Sequence, residues 1–449
     1  MFKGKVIFLV LSVVMIAALL AGCASTSQSG TAKEGPIVIG YVGTLSSPGV
    51  KPCVDATQLA VDEINAKGGV LGRPVKLVLE DSKGETSLAV AAVQRMLLSS
   101  KPIMYQVEGR SEIALAVKDV AANLYKEYPH ICVCNGAADY EVTQKIVTEY
   151  DRYKFFFRDY EFAQYPWFYN YNLTMFENMK CKKIAVLYED LYWTRIYREG
   201  GGPTGLPSFK DYAEKKRGFE VVYDKPIKAR AGMWLPTLEA IAQTKPDVIF
   251  VYSSWFTDVE VLAKQWADSS CKDIPVLAEG GIIEGFQFWN ITGGKCLGML
   301  TTFWENPYPV TPVFPELVKK AREKNIPLQT HVILAYNNVY FLKAVLDKVG
   351  KTTDMDSIIK GYETTVTESP IGPMGFNGDR EEPWFHSGKI ADKNNPLDFI
   401  YPDKFLTPLA QWQGPNKVEL IYGPPSAKSY MYPDRYKTPA QLRTELGAK

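Results

Sequence analysis

Short apolar runs of four to seven residues alternate along the chain with longer stretches in which apolar residues recur every three or four positions. Runs of the first kind suit strands buried on both faces, and stretches of the second kind suit amphipathic helices laid over them. The candidate strands are residues 37–42, 75–80, 103–107, 131–134, 183–188, 220–223, 248–252, 276–278 and 298–302. Their regular alternation with helices predicts an α/β fold built on parallel sheets. The first unit shows the logic. Ala56, Leu59, Ala60 and Ile64 recur at helical steps, Gly68-Gly69 supply the left-handed backbone that ends many helices, and Val75-Lys76-Leu77-Val78-Leu79 reads as the next strand.

Two segments break this rhythm. Residues 153–176 are dense in aromatics, and residues 304–315 carry four prolines. Proline suppresses continued helix and strand, and aromatic rings can line an interface, so both segments are expected where the chain changes lobes. The aromatic segment equally suits an ordinary buried helix. No repeat of fixed period and no low-complexity segment occurs.

The N-terminus has a separate character. Lys3 and Lys5 precede an apolar run from Val6 to Leu20, which is short for a bilayer span of about 20 residues and ends in small residues. Leu20-Ala21-Gly22-Cys23 resembles the lipobox of bacterial lipoproteins, which implies cleavage before Cys23 and lipid on its sulfur. Residues 1–22 are therefore expected to be an export signal. Residues 23–35, small and polar, are expected to tether the lipid to the folded body, placing the protein outside the cytoplasmic membrane.

About 420 residues then remain, enough for two lobes at roughly 100 to 200 residues each. Loss of the signal leaves 49 basic against 50 acidic side chains, a net charge of −1. That balance argues against a nucleic-acid partner, which normally needs a basic surface. Six cysteines remain beyond Cys23, and export permits disulfides. Cys271 and Cys296 flank one predicted strand and are candidates for a pair. Cys132 and Cys134 should share one face of their strand, with only His130 nearby as a further metal ligand, so two small buried residues are the simpler reading.

Enzyme signatures are sparse. The three histidines, His130, His331 and His386, are far apart, and neither HExxH nor GxSxG occurs. Gly200, Gly202 and Gly205 fit G-x-G-x-x-G but lie about a dozen residues past the preceding strand and include Pro203, whereas a dinucleotide site needs them at the strand-to-helix turn. Gly350-Lys351-Thr352 lacks the upstream glycine of a phosphate loop, because Val345 stands there. No catalytic residue, cofactor or metal is expected.

Residues 36 to about 425 resemble the branched-chain amino-acid type of ABC-transporter substrate-binding protein. The resemblance is carried by Ile39-Gly40-Tyr41-Val42-Gly43-Thr44-Leu45-Ser46, by Asp62-Glu63-Ile64-Asn65-Ala66-Lys67-Gly68-Gly69-Val70-Leu71-Gly72, and by Gly372-Pro373-Met374-Gly375-Phe376 with the later Gln411-Trp412-Gln413. It implies the type I periplasmic binding protein fold: two doubly wound lobes joined by three crossings, with the ligand in the cleft between them. The lobes are expected to be residues 36–156 with 306–383, and 157–305 with 384–425, leaving a polar tail at 426–449.

The family's ligand contacts map onto named positions. Ser111 follows the third strand and corresponds to a hydroxyl on the ligand carboxylate; Gly136, Ala137 and Ala138 form the loop after the fourth. Tyr192 or Trp193, and Trp255, correspond to aromatic walls, and Glu279 to the acid that holds the ligand ammonium. Each has a plainer alternative: Ser111 as a helix cap, Glu279 as a solvated loop acid, Trp255 as lobe packing. The sequence departs from the family where Ala138 replaces a hydroxyl and where Trp255 replaces a smaller aromatic. Arg110 adds a cation at the cleft edge, unless it pairs with Glu108 or Glu112.

These features imply a small carboxylate-bearing ligand, a branched-chain or aromatic amino acid, passed to an ABC permease and its ATPase subunits. An organic carboxylate lacking an amine, or a ligand-sensing receptor of the same fold, are the alternatives.

Overall fold

The computed structural model describes residues 35–159, 166–202, 205–307, 311–381, 385–388, 408–422 and 434–447, with side chains of the helix Pro166–Asn178 described from Asn172 onward. The export segment and Cys23 lie outside these residues. No helix among the described residues is long and apolar enough to cross a membrane.

Residues 37–447 build two separate sheets. The first comprises β1 (Ile37–Gly43), β2 (Val75–Asp81), β3 (Met104–Glu108), β4 (Ile131–Asn135) and β5 (Phe156–Arg158), all parallel, in the order β2-β1-β3-β4-β5. The second contains β6 (Lys183–Glu189), β7 (Glu220–Ile227), β8 (Val248–Tyr252), β9 (Val276–Ala278) and β10 (Leu300–Thr302). To these the strands β13 (Leu409–Gly414) and β14 (Lys417–Tyr422) add antiparallel, in the order β14-β13-β10-β9-β8-β6-β7. A hairpin of β11 (Val366–Ser369) and β12 (Gly372–Gly375) stands apart. The result is the expected α/β architecture, doubly wound in both halves.

Strand pleating divides each sheet into two apolar faces. Ile131 and Val133 of β4 pack with the helices Lys51–Ala66 and Thr330–Val349, while Cys132 and Cys134 point to the other face, under the helices Thr86–Ser99 and Ser111–Leu124. The helix Lys51–Ala66 buries Ala56, Leu59, Ala60 and Ile64 as its sequence predicts. It ends where Gly68 and Gly69 take φ of +96° and +80°, and a Cβ on Gly69 would lie 1.9 Å from the Arg73 carbonyl oxygen, so glycine is required there.

Several expectations need correction. Phe156–Arg158, placed across a lobe boundary at residue 156, extends the first sheet: three buried side chains in register with β4 leave no reason to depart earlier. Phe385 packs in the same half, and the Arg158 N–H donates to the His386 carbonyl at 2.9 Å, so this half also runs past residue 383. The described part of the polar tail packs on the second sheet. Its helix Pro439–Leu446 opens on a Thr438–Gln441 capping box, and Gln411 of β13 donates to the Lys437 carbonyl at 2.7 Å. Cys271 and Cys296 are both free and buried, the Cys271 thiol meeting the Leu238 carbonyl at 2.9 Å.

The chain passes between the two halves after Asp159, between Thr302 and Phe314, and between Gly388 and Leu409. Both unusual segments therefore fall at crossings. The loops after β1, β3 and β4 face those after β6, β8 and β9 at the carboxyl ends of the strands, where open α/β sheets hold their ligands.

Candidate ligand-binding cleft

The facing loops enclose about 920 Å³ of atom-free space, its mouth included. From the first half, β3 runs through Gly109 and Arg110 into the helix Ser111–Leu124, whose first residues line the cavity. Ser111 is buried and is the first helical residue, with no capping bond from its side chain or from Arg110; its hydroxyl instead accepts the Asp139 N–H at 3.1 Å. Arg110 also lines the wall, but its fork is engaged. Nε reaches Glu112 at 2.9 Å, a terminal nitrogen reaches the Gly84 carbonyl at 2.5 Å, and the guanidinium lies 5.4 Å from the centre of the Phe256 ring.

After β4 the chain turns at Gly136, with φ of +98°. A Cβ there would stand 2.8 Å from the His331 ring, so the close approach of loop and imidazole demands glycine. Buried Arg158 fixes the next residues by donating to the carbonyls of Ala137 at 3.3 Å and Asp139 at 2.7 Å. Ala138 lines the cavity, whereas Ala137 faces the core on the far side of the sheet.

The second half supplies acids and rings. Glu189, at the end of β6, is fully buried and accepts from Trp193 Nε1 at 2.8 Å, from the Ser254 hydroxyl at 2.8 Å and from Thr257. Burial pushes its carboxyl up despite these donors. Trp193, thus oriented, packs 4.7 Å from Tyr252 between ring centroids, and both line the cleft. Tyr192 does not: its hydroxyl turns away and donates to Glu141 at 2.5 Å. Trp255, after β8, meets His331 edge-on at 4.4 Å and fills the space over Gly49, so it packs between the halves while lining the cavity.

Glu279 follows β9 and is no solvated loop acid. It is 7% exposed, and burial together with the neighbouring Glu284 raises its carboxyl well above the usual range. Among the described residues its carboxyl is met by the Thr302 hydroxyl at 3.4 Å and by no basic side chain. Glu284 accepts the Gly280 N–H at 2.9 Å and a bond from the Thr330 backbone, yet burial still pushes it up to about 8. His331 is pushed down to about 4 by burial and is neutral at pH 7.

Seven of the nine predicted ligand residues thus share one cavity: Arg110, Ser111, Gly136, Ala138, Trp193, Trp255 and Glu279. A sequence profile described as Periplasmic binding protein matches residues 36–385, more than three quarters of the chain. The chain belongs to the periplasmic binding protein family. Among curated relatives, this binding protein is 23% identical over 378 residues to Leu/Ile/Val-binding protein homolog 3 of Brucella melitensis, covering 82% of this chain and 95% of that one. Among solved structures, it matches an ABC-transporter solute-binding protein from R. palustris in complex with 4-hydroxybenzoate, with a TM-score of 0.65, 19% identity, and coverage of 87% and 98%. It also matches the branched-chain amino acid transporter substrate-binding protein of Streptococcus pneumoniae in complex with isoleucine, with a TM-score of 0.63, 18% identity, and coverage of 87% and 100%. The two structural likenesses show the fold.

This binding protein also places in its cleft residues that were not among the predicted ligand contacts: Glu284, Thr302, Gln329 and His331. Gln329 donates to the Gly281 carbonyl at 2.9 Å, joining the two halves at the back of the cavity. Its neighbour His331 lies in the first turn of the helix Thr330–Val349, the second helix after the proline-rich crossing.

Proposed function

We propose that this protein captures a branched-chain or aromatic amino acid in the cleft and delivers it to the permease of an ABC importer, driven by its ATPase subunits. One observation carries the reading: the cleft is electrically polarised. On one wall begins the 14-residue helix Ser111–Leu124, and a helix start favours a negative group through its unbonded N–H groups and dipole. On the other wall stands Glu279, a buried carboxyl without a basic partner among the described residues, which favours a positive group. An α-amino acid carries both charges on groups bonded to one carbon. Trp193, Tyr252, Trp255 and Phe256 supply the apolar surround for its side chain. The Leu/Ile/Val-binding relative and the isoleucine-bound structure support the same ligand class.

A second reading has its own support. Glu279 and Glu284 both hold their protons more tightly than usual, and a protonated carboxyl can donate to the carboxylate of an aromatic acid lacking an amine. The 4-hydroxybenzoate-bound structure belongs to this class. A thermal-shift screen of residues 36–449 separates the two, because a ligand that binds the folded state alone raises the melting temperature. A rise with leucine or phenylalanine, and none with their deaminated counterparts, supports the first reading. The reverse pattern supports the second, and no shift with either class defeats both.

The site of action follows from Leu20-Ala21-Gly22-Cys23: a lipid on Cys23 would hold the protein at the outer face of a cell membrane. Cys23→Ser should release it into the soluble fraction, and continued membrane association would refute the anchor.

A further inference from the structure

We propose that Arg195 is a closure latch, a positioning residue that sets how long the two halves stay shut on a ligand it does not touch. Arg195 follows β6 in the second half, while Asp139 and Glu141 follow β4 in the first. Its guanidinium meets both Asp139 carboxylate oxygens at 3.2 Å and Glu141 at 3.0 Å. Two tyrosine rings hold the cation, Tyr140 at 5.1 Å and Tyr192 at 4.7 Å to the ring centres, and Tyr192 ties its own hydroxyl to Glu141. Arg195 does not line the ligand cavity, yet its partner does connect to it: the Asp139 N–H donates to the hydroxyl of Ser111, a cavity residue.

The asymmetry of burial gives the latch its direction. With the halves in contact as here, the Asp139 side chain is 0% exposed, and its pairing with Arg195 offsets part of the cost of removing its charge from water. Separation of the halves would draw Arg195 away from Asp139. Removing the guanidinium therefore penalises the closed state alone, because the buried carboxylate then loses the cation it meets across the cleft and keeps only the field of Arg158 in its own half. A change that disfavours only the closed state shifts the population toward open and speeds ligand escape.

The latch rests on the capture reading for its effect on affinity, but its effect on shape does not. The test uses residues 36–449 carrying Arg195→Met, with L-leucine and L-phenylalanine as probes. Small-angle scattering of the ligand-free variant should show a larger radius of gyration than the unaltered protein. Stopped-flow binding should show koff raised roughly tenfold with kon changed less than about twofold. Arg195→Lys, which keeps the charge but loses the fork, should fall between the two, and it carries the test if the methionine variant does not fold. A purely structural role would lower the ligand-free melting temperature without moving the koff-to-kon split. Unchanged koff and unchanged radius of gyration overturn the latch. If neither amino acid binds the unaltered protein, the ligand reading fails and the scattering comparison alone decides the latch.

Discussion

Glu279→Gln should move stability and binding in opposite directions. The Glu279 carboxyl is held well above its unfolded value of 4.5, chiefly by burial and then by Glu284. Above pH 4.5 the unfolded chain gives up this proton while the folded protein keeps it, so folding loses stability as pH rises through the window up to the folded value. The loss is about 1.4 kcal/mol for each unit of separation. Glutamine has nearly the same shape, keeps an oxygen for the Thr302 hydroxyl and has no proton to lose. The ligand-free variant should therefore melt higher than the unaltered protein at pH 7.5, by roughly 2 °C per kcal/mol recovered, and the difference should vanish near pH 4. Binding should suffer instead. Truncating one side of a buried charge pair costs about 2–5 kcal/mol, which is roughly thirtyfold or more in Kd for an amine-bearing ligand. Calorimetric melting at two pH values and a binding titration read both effects. A variant that melts lower at pH 7.5 and binds leucine or phenylalanine unchanged would show that Glu279 neither carries this burial cost nor holds the ammonium.

Three further outcomes follow from the same geometry. Affinity for an amino acid should tighten as pH rises from 5 to 8, by up to about tenfold per unit for each proton released, because the ammonium selects ionised carboxyls that are otherwise protonated; a carboxylate without an amine should show the opposite slope in the same titration. Gly136→Ala forces a side chain onto a backbone at φ +98° and against His331 at 2.8 Å, so urea unfolding should show a loss of roughly 2–4 kcal/mol together with weakened binding. Trp193→Phe deletes the 2.8 Å donor to buried Glu189 while keeping an aromatic wall, and should cost about 1–3 kcal/mol of stability by the same assay.

How much of this was legible in the sequence depended on whether neighbours along the chain were also neighbours in space. The central strands were readable because a strand buried on both faces must be a continuous apolar run: Val248–Tyr252 and Val276–Ala278 appear just where the pattern puts them. β5 was hidden because three residues inside an aromatic run carry no period of their own. β13 was hidden because Gln411 and Gln413 are buried yet polar, satisfied by the Lys437 and Arg435 carbonyls of the polar tail. In the cleft, the loops that directly follow strands were found, since a βα unit presents those positions to the ligand. Ala137 and Tyr192 were assigned with their neighbours but face elsewhere, one into the core and one to Glu141, because adjacent residues in a loop need not share a direction. Arg110 gave a cation to the sequence reading, but Glu112 two positions later takes its fork. Glu284 and His331 reach the cavity from a short turn and from the far side of a crossing, where no local pattern marks them.

As proposed above, the cleft pairs a carboxylate with the start of the helix Ser111–Leu124 and an ammonium with Glu279. Isothermal titration of residues 36–449 with leucine and phenylalanine, each beside its deaminated acid, tests it most directly. Saturable binding of at least one amino acid is expected, with affinity lower by roughly thirtyfold for the acid lacking the amine. Equal or tighter binding of the deaminated acid would contradict it.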